Sequence, residues 1–338
     1  MDPAPGAGSP AQSAVDSRGP GRHIPAMEPI VNVVLPVFAI MLAGYLSGRA
    51  GLLGEASSQA LNGFVYYIAL PALFFVSMAR VPVAEVLHGP FLIAFGGGML
   101  ATFGIAMLVA TFVFPNRTGA LSLHGMSAIF SNTGYMGIPL LVIAFGEVGK
   151  LPAIISTVVT GVVAMGLITA ILEIDLAENH GPLTAVRNAL AGVLKSPLVM
   201  SAGAGLAYSA VGYPLPQPVE TFGDLLGAAA GPAALFAIGL FMVGKSFTAG
   251  MGEVGWVVAL KLLVQPAITW WLAFGVLQMD TLWAQAAVIQ AALPTGALTF
   301  VLAQRYGTYI QRATAVILIS TVASVVTLSA LFIYLGVG

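Results

Sequence analysis

The chain is a succession of long, continuous apolar runs. They lie near 30–48, 60–79, 91–114, 122–145, 151–172, 196–212, 224–244, 254–277, 282–303 and 312–335. Each run is close to the ~20 residues of helix that cross a hydrocarbon layer about 30 Å thick. Within that layer every backbone N–H and C=O must be satisfied inside the protein, which leaves helices and closed barrels as the only spanning structures. Barrel strands alternate apolar and polar residues, and these runs do not alternate. The expected fold is therefore an all-α polytopic membrane protein with ten transmembrane helices. Charged residues make up 7% of the 338-residue chain, against about 25% in soluble domains. That excludes an ordinary soluble enzyme and a disordered protein. The 12 Lys and Arg against 13 Asp and Glu offer no basic field for phosphate, so a nucleic-acid partner is not expected. The absence of cysteine excludes disulfides, Cys-ligated zinc and thiol nucleophiles.

The runs divide the chain. Residues 1–29 are dominated by Pro, Gly, Ala and Ser and are expected to form a disordered tail. The tail has no apolar core of the kind a signal peptide needs. Met27 directly precedes the first run and is expected to be the initiator, an expectation that native protein beginning at Met1 would refute. Residues 30–172 and 196–338 form two five-span units joined by a linker at 173–195. Loops after odd-numbered spans carry Arg49, Arg117, Arg187, Lys195, Lys245, Arg305 and Arg312, whereas the opposite side carries Arg80 and Lys150, with Arg18 and Arg22 in the tail. The positive-inside rule then puts the odd-span loops in the cytoplasm and both termini outside, in a bacterial-type inner (plasma) membrane.

The two units share landmarks at a nearly constant offset. Pro36 and Pro197 are 161 residues apart, as are Pro71 and Pro232, and Gly146 and Gly307; Thr133-Gly134 and Thr295-Gly296 are 162 apart. An odd number of spans per unit makes the second copy upside down, the inverted-topology repeat of secondary transporters. Spans four and nine each contain a helix-breaking string at mid-depth. One is Ser131-Asn132-Thr133-Gly134-Tyr135-Met136-Gly137-Ile138-Pro139, and the other is Gln290-Ala291-Ala292-Leu293-Pro294-Thr295-Gly296. Proline removes a backbone donor and clashes with the preceding turn. Irregular backbone at that depth is tolerated where it is packed in protein or lines a cavity. The half-helix N-termini there offer N–H groups and partial positive charge to an anion. For Pro71 and Pro232 a plain kink is the expected reading. For the matched pair of breaks, which bring polar groups to corresponding places, a substrate site is expected. Its candidate residues are Asn132, Thr133, Gly134, Gly137, Pro139, Gln290, Pro294, Thr295 and Gly296.

Lys261 is the one charged residue well inside a span, and Gln265 follows on the same face before Pro266. A central Lys costs about 2.5–3.5 kcal/mol on insertion scales, which marks it as a functional candidate. Two readings stand. Lys261 and Gln265 line the site and supply positive potential or brace the moving part, or the Lys stem snorkels to the interface. No Asp or Glu falls deep in a span; Asp224 and Glu253 stand at span ends, and His124 near the start of span four. That weakens mechanisms built on paired buried acids, leaves a proton or sodium coupling ion open, and keeps a potential-driven uniporter possible. The four His are scattered, so neither a metal site nor a cofactor is expected. No motif of an intramembrane enzyme is present.

The strings NTGYMGIP at 132–139, LPTGALTFVLAQRYG at 293–307, LPVFAIMLAGYLSGRAGLL at 35–53 and LNGFVYYIALPALFF at 61–75 resemble the auxin efflux carrier family. That family holds plant PIN-type auxin carriers and bacterial permeases for malonate or malate. The resemblance implies a five-plus-five inverted repeat in which broken helices four and nine cross at the substrate, with Asn132, Pro139 and Pro294 as crossover residues. It implies that spans one, two, six and seven form a scaffold and a homodimer contact, while the other spans move. The short 173–195 linker gives no support to phosphorylation of a long central loop. The expected function is secondary transport of a small organic anion (a mono- or dicarboxylate, or an auxin-like acid) by elevator-like alternating access. The alternatives are a sodium- or proton-coupled carrier of another solute, such as a bile-acid-like one, and a non-transporting membrane receptor.

Overall fold

The computed structural model describes residues 35–80, 82–86, 88–176, 187, 194, 195, 197–244 and 250–337. The tail 1–29 with Met27, most of the 173–195 linker and Lys245 lie outside the described residues. The described residues are all-helical apart from one isolated antiparallel bridge. The helices are α1 (Leu35–Arg49), α2 (Glu55–Ala79), α3 (Gly89–Val113) and α4 (Thr118–Ile129). Then follow α5 (Ile138–Phe145), α6 (Lys150–Val159), α7 (Gly166–Leu176), α8 (Pro197–Val211) and α9 (Gln217–Phe241). The last are α10 (Met251–Val276), α11 (Thr281–Ala292), α12 (Leu298–Arg305) and α13 (Ile310–Leu335). Among the described residues, six helical stretches are long and apolar enough to cross a membrane: α2, α3, Thr133–Leu172, α9, α10 and α13. The third is 40 residues long, about 60 Å at 1.5 Å per residue and twice the hydrocarbon thickness. It is broken at Gly146, whose φ of 70° suits glycine and few other residues.

The prolines shape several of these helices locally. Pro71, Pro139 and Pro266 each stand second in an α-helical stretch that follows a π-helical turn, at Val65–Ala69, Thr133–Gly137 and Leu260–Val264. Proline cannot donate to the carbonyl four residues back and its ring crowds that oxygen, so the preceding turn widens. Pro232 sits inside α9 with the α-helix unbroken. The kink expected at Pro71 is thus a widened turn in a continuous helix.

Small residues set the packing. A side chain on Gly44 of α1 would collide with the backbone at Phe236 of α9, and one on Gly239 of α9 with the backbone at Met41 of α1. These two backbones touch, as small residues allow in membranes. Gly205 of α8 packs against the backbone at Phe75 of α2, and Gly223 and Gly227 of α9 against Val76 and Leu73. So α1, α2, α8 and α9 form one closely packed group. At one end of this group Arg80 clamps α2 to α9, with Nη1 and Nη2 at 3.0 and 2.8 Å from the Asp224 carboxylate. A second core joins α4, α10 and α13 through Leu123, Met126, Val257 and Val316. Ile129 and Phe130 belong to this second core, whereas Met136, Ala292 and Leu293 pack in the core around α2 and α9.

Candidate functional site

Helix α4 ends at Ile129 and α11 at Ala292, and both chains continue as irregular backbone before helix resumes at Thr133 and Leu298. The two irregular strings pass antiparallel, with Ser131 paired to Thr295. The Asn132 N–H donates to the Pro294 carbonyl at 2.9 Å, and the Gly296 N–H to the Phe130 carbonyl at 2.8 Å. Each break thus satisfies backbone groups that the other break frees, which is what burial at this depth demands. The Thr295 side chain donates to the Ser127 carbonyl at 2.7 Å, and its N–H to the Ser320 hydroxyl at 3.1 Å. At Gly296 a β-carbon would press on the Phe130 ring, so glycine is required for the strings to lie this close.

Lys261 lies behind this crossing on α10 and is 0% exposed. Its Nζ donates to the Ala291 carbonyl at 2.6 Å and to Gln265 Oε1 at 2.7 Å. Gln265 Nε2 in turn reaches the Ile129 carbonyl at 3.4 Å. The amine and its amide partner therefore bind carbonyls at the C-terminal ends of α11 and α4, where the last carbonyls of a helix lack partners of their own. The snorkelling reading of Lys261 does not describe this geometry.

The crossing forms one wall of a cavity of about 710 Å³. Asn132, Thr133, Gly134 and Gly296 line it, together with Ser131, Tyr135 and Ala297. The N-terminal turns of the two resumed helices begin on this wall; the Thr133 N–H donates to the Ser131 carbonyl at 2.8 Å, and the Thr299 and Phe300 N–H groups to the Gly296 and Ala297 carbonyls at 3.2 and 3.0 Å. The facing wall carries Ser58, Asn62 and Tyr66, which at four-residue spacing share one face of α2. Thr157 and Thr160 complete the polar lining. The cavity extends to Gly48, Leu53, Gly54 and Glu55, at the corner between α1 and α2. Among its described lining residues Glu55 is the one charged group, and there is no Lys, Arg or His.

Seven expected site residues do not line this cavity. Lys261 and Gln265 brace the crossing from behind, while Pro294 and Thr295 are used in its backbone pairing. Pro139 packs against Gly231 of α9, and Gly137 faces the amide of Gln290. Gln290 is fully buried, and neither of its amide atoms has a hydrogen-bond partner among the described residues. Conversely, the sequence reading missed the polar face of α2. The signal was present as Ser58, Asn62 and Tyr66 at helical spacing. The sequence reading placed Glu253 at a span end and His124 near the start of span four without anticipating that both are buried and lie 2.8 Å apart. The first turn of α10 begins at Met251, earlier than the apolar run, and so carries Glu253 inside.

The model of a family described as "Membrane transport protein" matches residues 29–332. A protein of Rhizobium meliloti (strain 1021) named "Putative malonate transporter" is 31% identical over 307 residues, 90% of this chain and 95% of that one. "Uncharacterized transporter YfdV" of Escherichia coli (strain K12) is 27% identical over 319 residues, 90% of this chain and 97% of the other. The mouse "Lysosomal cholesterol signaling protein" is 26% identical over 226 residues, 63% of this chain but 26% of its own length. An all-helical chain with several membrane-spanning helices and a family match over most of its length leaves one conclusion: it belongs to the membrane transport protein family, the auxin efflux carriers that its motifs resemble.

Proposed function

We propose that the protein is a secondary transporter of a small organic anion, in which the substrate binds at the crossing of two broken helices. The observation that carries this reading is the paired break. Two interrupted segments at corresponding places of the chain are hydrogen-bonded to each other, and both resume helix on the wall of one cavity. A carboxylate there meets the N-terminal ends of two helices, with Asn132 and Thr133 as side-chain donors. Because the lining has no basic side chain among the described residues, the anion is held by helix ends and neutral groups. Such a site binds without an ion pair that would slow release.

The same geometry supports ten spans in two inverted five-span units, with α4 plus α5 as the fourth span and α11 plus α12 as the ninth. The packed group α1, α2, α8 and α9 is the scaffold and the homodimer contact, and the remaining helices move as an elevator. The cavity reaches the α1–α2 corner next to Arg49, the side that the positive-inside rule assigns to the cytoplasm. The described state is therefore inward-facing. The name of the Rhizobium relative makes malonate the first substrate to test. Purified protein in proteoliposomes is tested for uptake of radiolabelled malonate, malate and indole-acetate, with and without ion gradients. Flux above protein-free vesicles is the expected result. Binding without flux would favour a receptor instead.

A further inference from the structure

Away from the cavity, on the side of Arg312, the fold buries a group of ionisable residues that the site above does not use. His124 of α4 is 0% exposed, and its Nδ1 is 2.8 Å from Glu253 Oε1 on α10. The Tyr309 hydroxyl, at the start of α13, donates to the same Glu253 oxygen at 2.9 Å. Arg312 Nη1 lies 3.1 Å from the other oxygen, Glu253 Oε2. The Glu253 side chain is 7% exposed and that of Arg312 36%, so the arginine forms the rim between the buried pair and water. Glu253 accepts from three sides, and this fixes the imidazole tautomer. The hydrogen on Nδ1 faces the carboxylate, which leaves a bare lone pair on Nε2. That nitrogen is buried and has no hydrogen-bond partner among the described residues.

From this geometry we infer that His124 Nε2 is the site of a coupled proton, with Glu253 as the counter-ion of the imidazolium. The inference rests on the anion-transport reading above for its coupling partner. A proton bonded to the Nε2 lone pair converts the neutral imidazole to a cation whose Nδ1 side faces the Glu253 carboxylate. The group Glu253, Arg312 and His124 then changes from net neutral to net positive. His124 stands five residues before Ile129, about 7.5 Å along α4 from the crossing. Positive charge there favours an anion in the cavity, and by reciprocity a bound anion favours the proton.

The surroundings leave His124 as the group that changes charge. Helix α4 carries Arg117 at its N-cap, and a charged arginine does not titrate. Asp175 of α7 accepts the Gly119 N–H at 3.0 Å. Helix α3 presents Phe103, and Phe114 follows it with its ring 6.0 Å from the imidazole. On α10, Lys261 is about two turns beyond Glu253 and is engaged with Gln265 and Ala291. On α12, the Arg305 side chain lies outside the described residues. Burial, then Glu253, pushes the Tyr309 phenol well above its ordinary range, so it stays a donor.

Two measurements test the proposal. Nitrogen-15 NMR of imidazole-labelled protein in detergent reads the proton directly, with His124 identified by subtraction of a His124→Asn spectrum. The expected result is a Nδ1 that stays protonated and a Nε2 that gains its proton as the pH is lowered. A Nε2 that does not titrate, or a titrating Nδ1, overturns the proposal, whatever the substrate proves to be. The second measurement is radiolabelled malonate flux in proteoliposomes clamped at zero potential. Asn at 124 keeps a donor where Nδ1 stands but has no titratable lone pair. His124→Asn is expected to keep malonate counterflow within about twofold of wild type and to lose accumulation driven by an inward proton gradient by ~tenfold or more. Equal gradient-driven accumulation in both proteins overturns the coupling. Absence of counterflow in the wild type instead speaks against malonate as substrate and leaves the NMR result to decide the proton site.

Discussion

Lys261 shows how far one residue can be read before its surroundings are known. Its place in an apolar span marked it as costly and therefore functional, but the choice between lining a site and reaching for the interface depended on where its amine points. The carbonyls it binds belong to α11 and, through Gln265, to α4, and no local pattern around residue 261 announces either. If the amine braces the crossing, Lys261→Met leaves those carbonyls unsatisfied. A buried acceptor left without its partner costs about 1–3 kcal/mol, so the temperature of thermal unfolding in detergent should fall by ~3–8 °C, with transport lost as well. A variant as stable as wild type would mean that the bonds do not hold the crossing together. Gln290 gives the opposite expectation. Its amide is buried with both polar atoms unpartnered, a cost that leucine does not carry. If this amide serves the transport cycle, Gln290→Leu should keep or raise the melting temperature while slowing transport ~tenfold. Lower stability with unchanged flux would refute that role.

At the scale of elements, the prolines and the apolar runs were the most legible signals. Pro294 falls within the irregular string that follows Ala292, whereas the string after Ile129 is over by Thr133, six residues before Pro139; the chemistry of a missing N–H is local. The reply of the rest of the chain was not local. Pro71, Pro139 and Pro266 are each preceded by a π turn, and Pro232 by ordinary helix, a difference set by packing around each site. The pairing of Asn132 with Pro294 could be anticipated only from the matched positions of the two strings. The burial of Glu253, which the sequence places at a span end, was not legible because helix α10 starts before its apolar run. Close packing of α1 on α9 is the element-scale claim most open to test. A side chain at Gly239 meets backbone atoms of Met41 and Tyr45, which cannot rotate away. Gly239→Leu should therefore push α1 from α9 and cost about 1–3 kcal/mol or more, seen as loss of a monodisperse peak on size exclusion. Retention of that peak with wild-type stability would show that the two helices have room between them.

Across the whole molecule, the scarcity of charge was informative chiefly through its distribution. Cations in alternate loops gave an orientation, and the cavity reaches the corner beside Arg49. The cavity itself, with no basic side chain among its described lining residues and with two helix ends on its wall, joins distant parts of the chain and has no signature at any one of them. The all-helical fold was legible because a bilayer permits so few alternatives. The facing wall on α2 was not, because polar residues in a membrane helix reveal their neighbours only after packing. The central claim is that the crossing binds an organic anion and carries it across. Counterflow in proteoliposomes loaded with malonate, malate or indole-acetate tests it most directly, with wild type and Asn132→Ala reconstituted in equal amounts. Asn132 lines the cavity while its backbone N–H holds the opposite string, so the substitution removes the side-chain donor and keeps the crossing. The account predicts exchange of at least one of these acids by the wild type and a fall to the level of protein-free vesicles in the variant, with membrane insertion unchanged. Exchange by Asn132→Ala at the wild-type rate would contradict it.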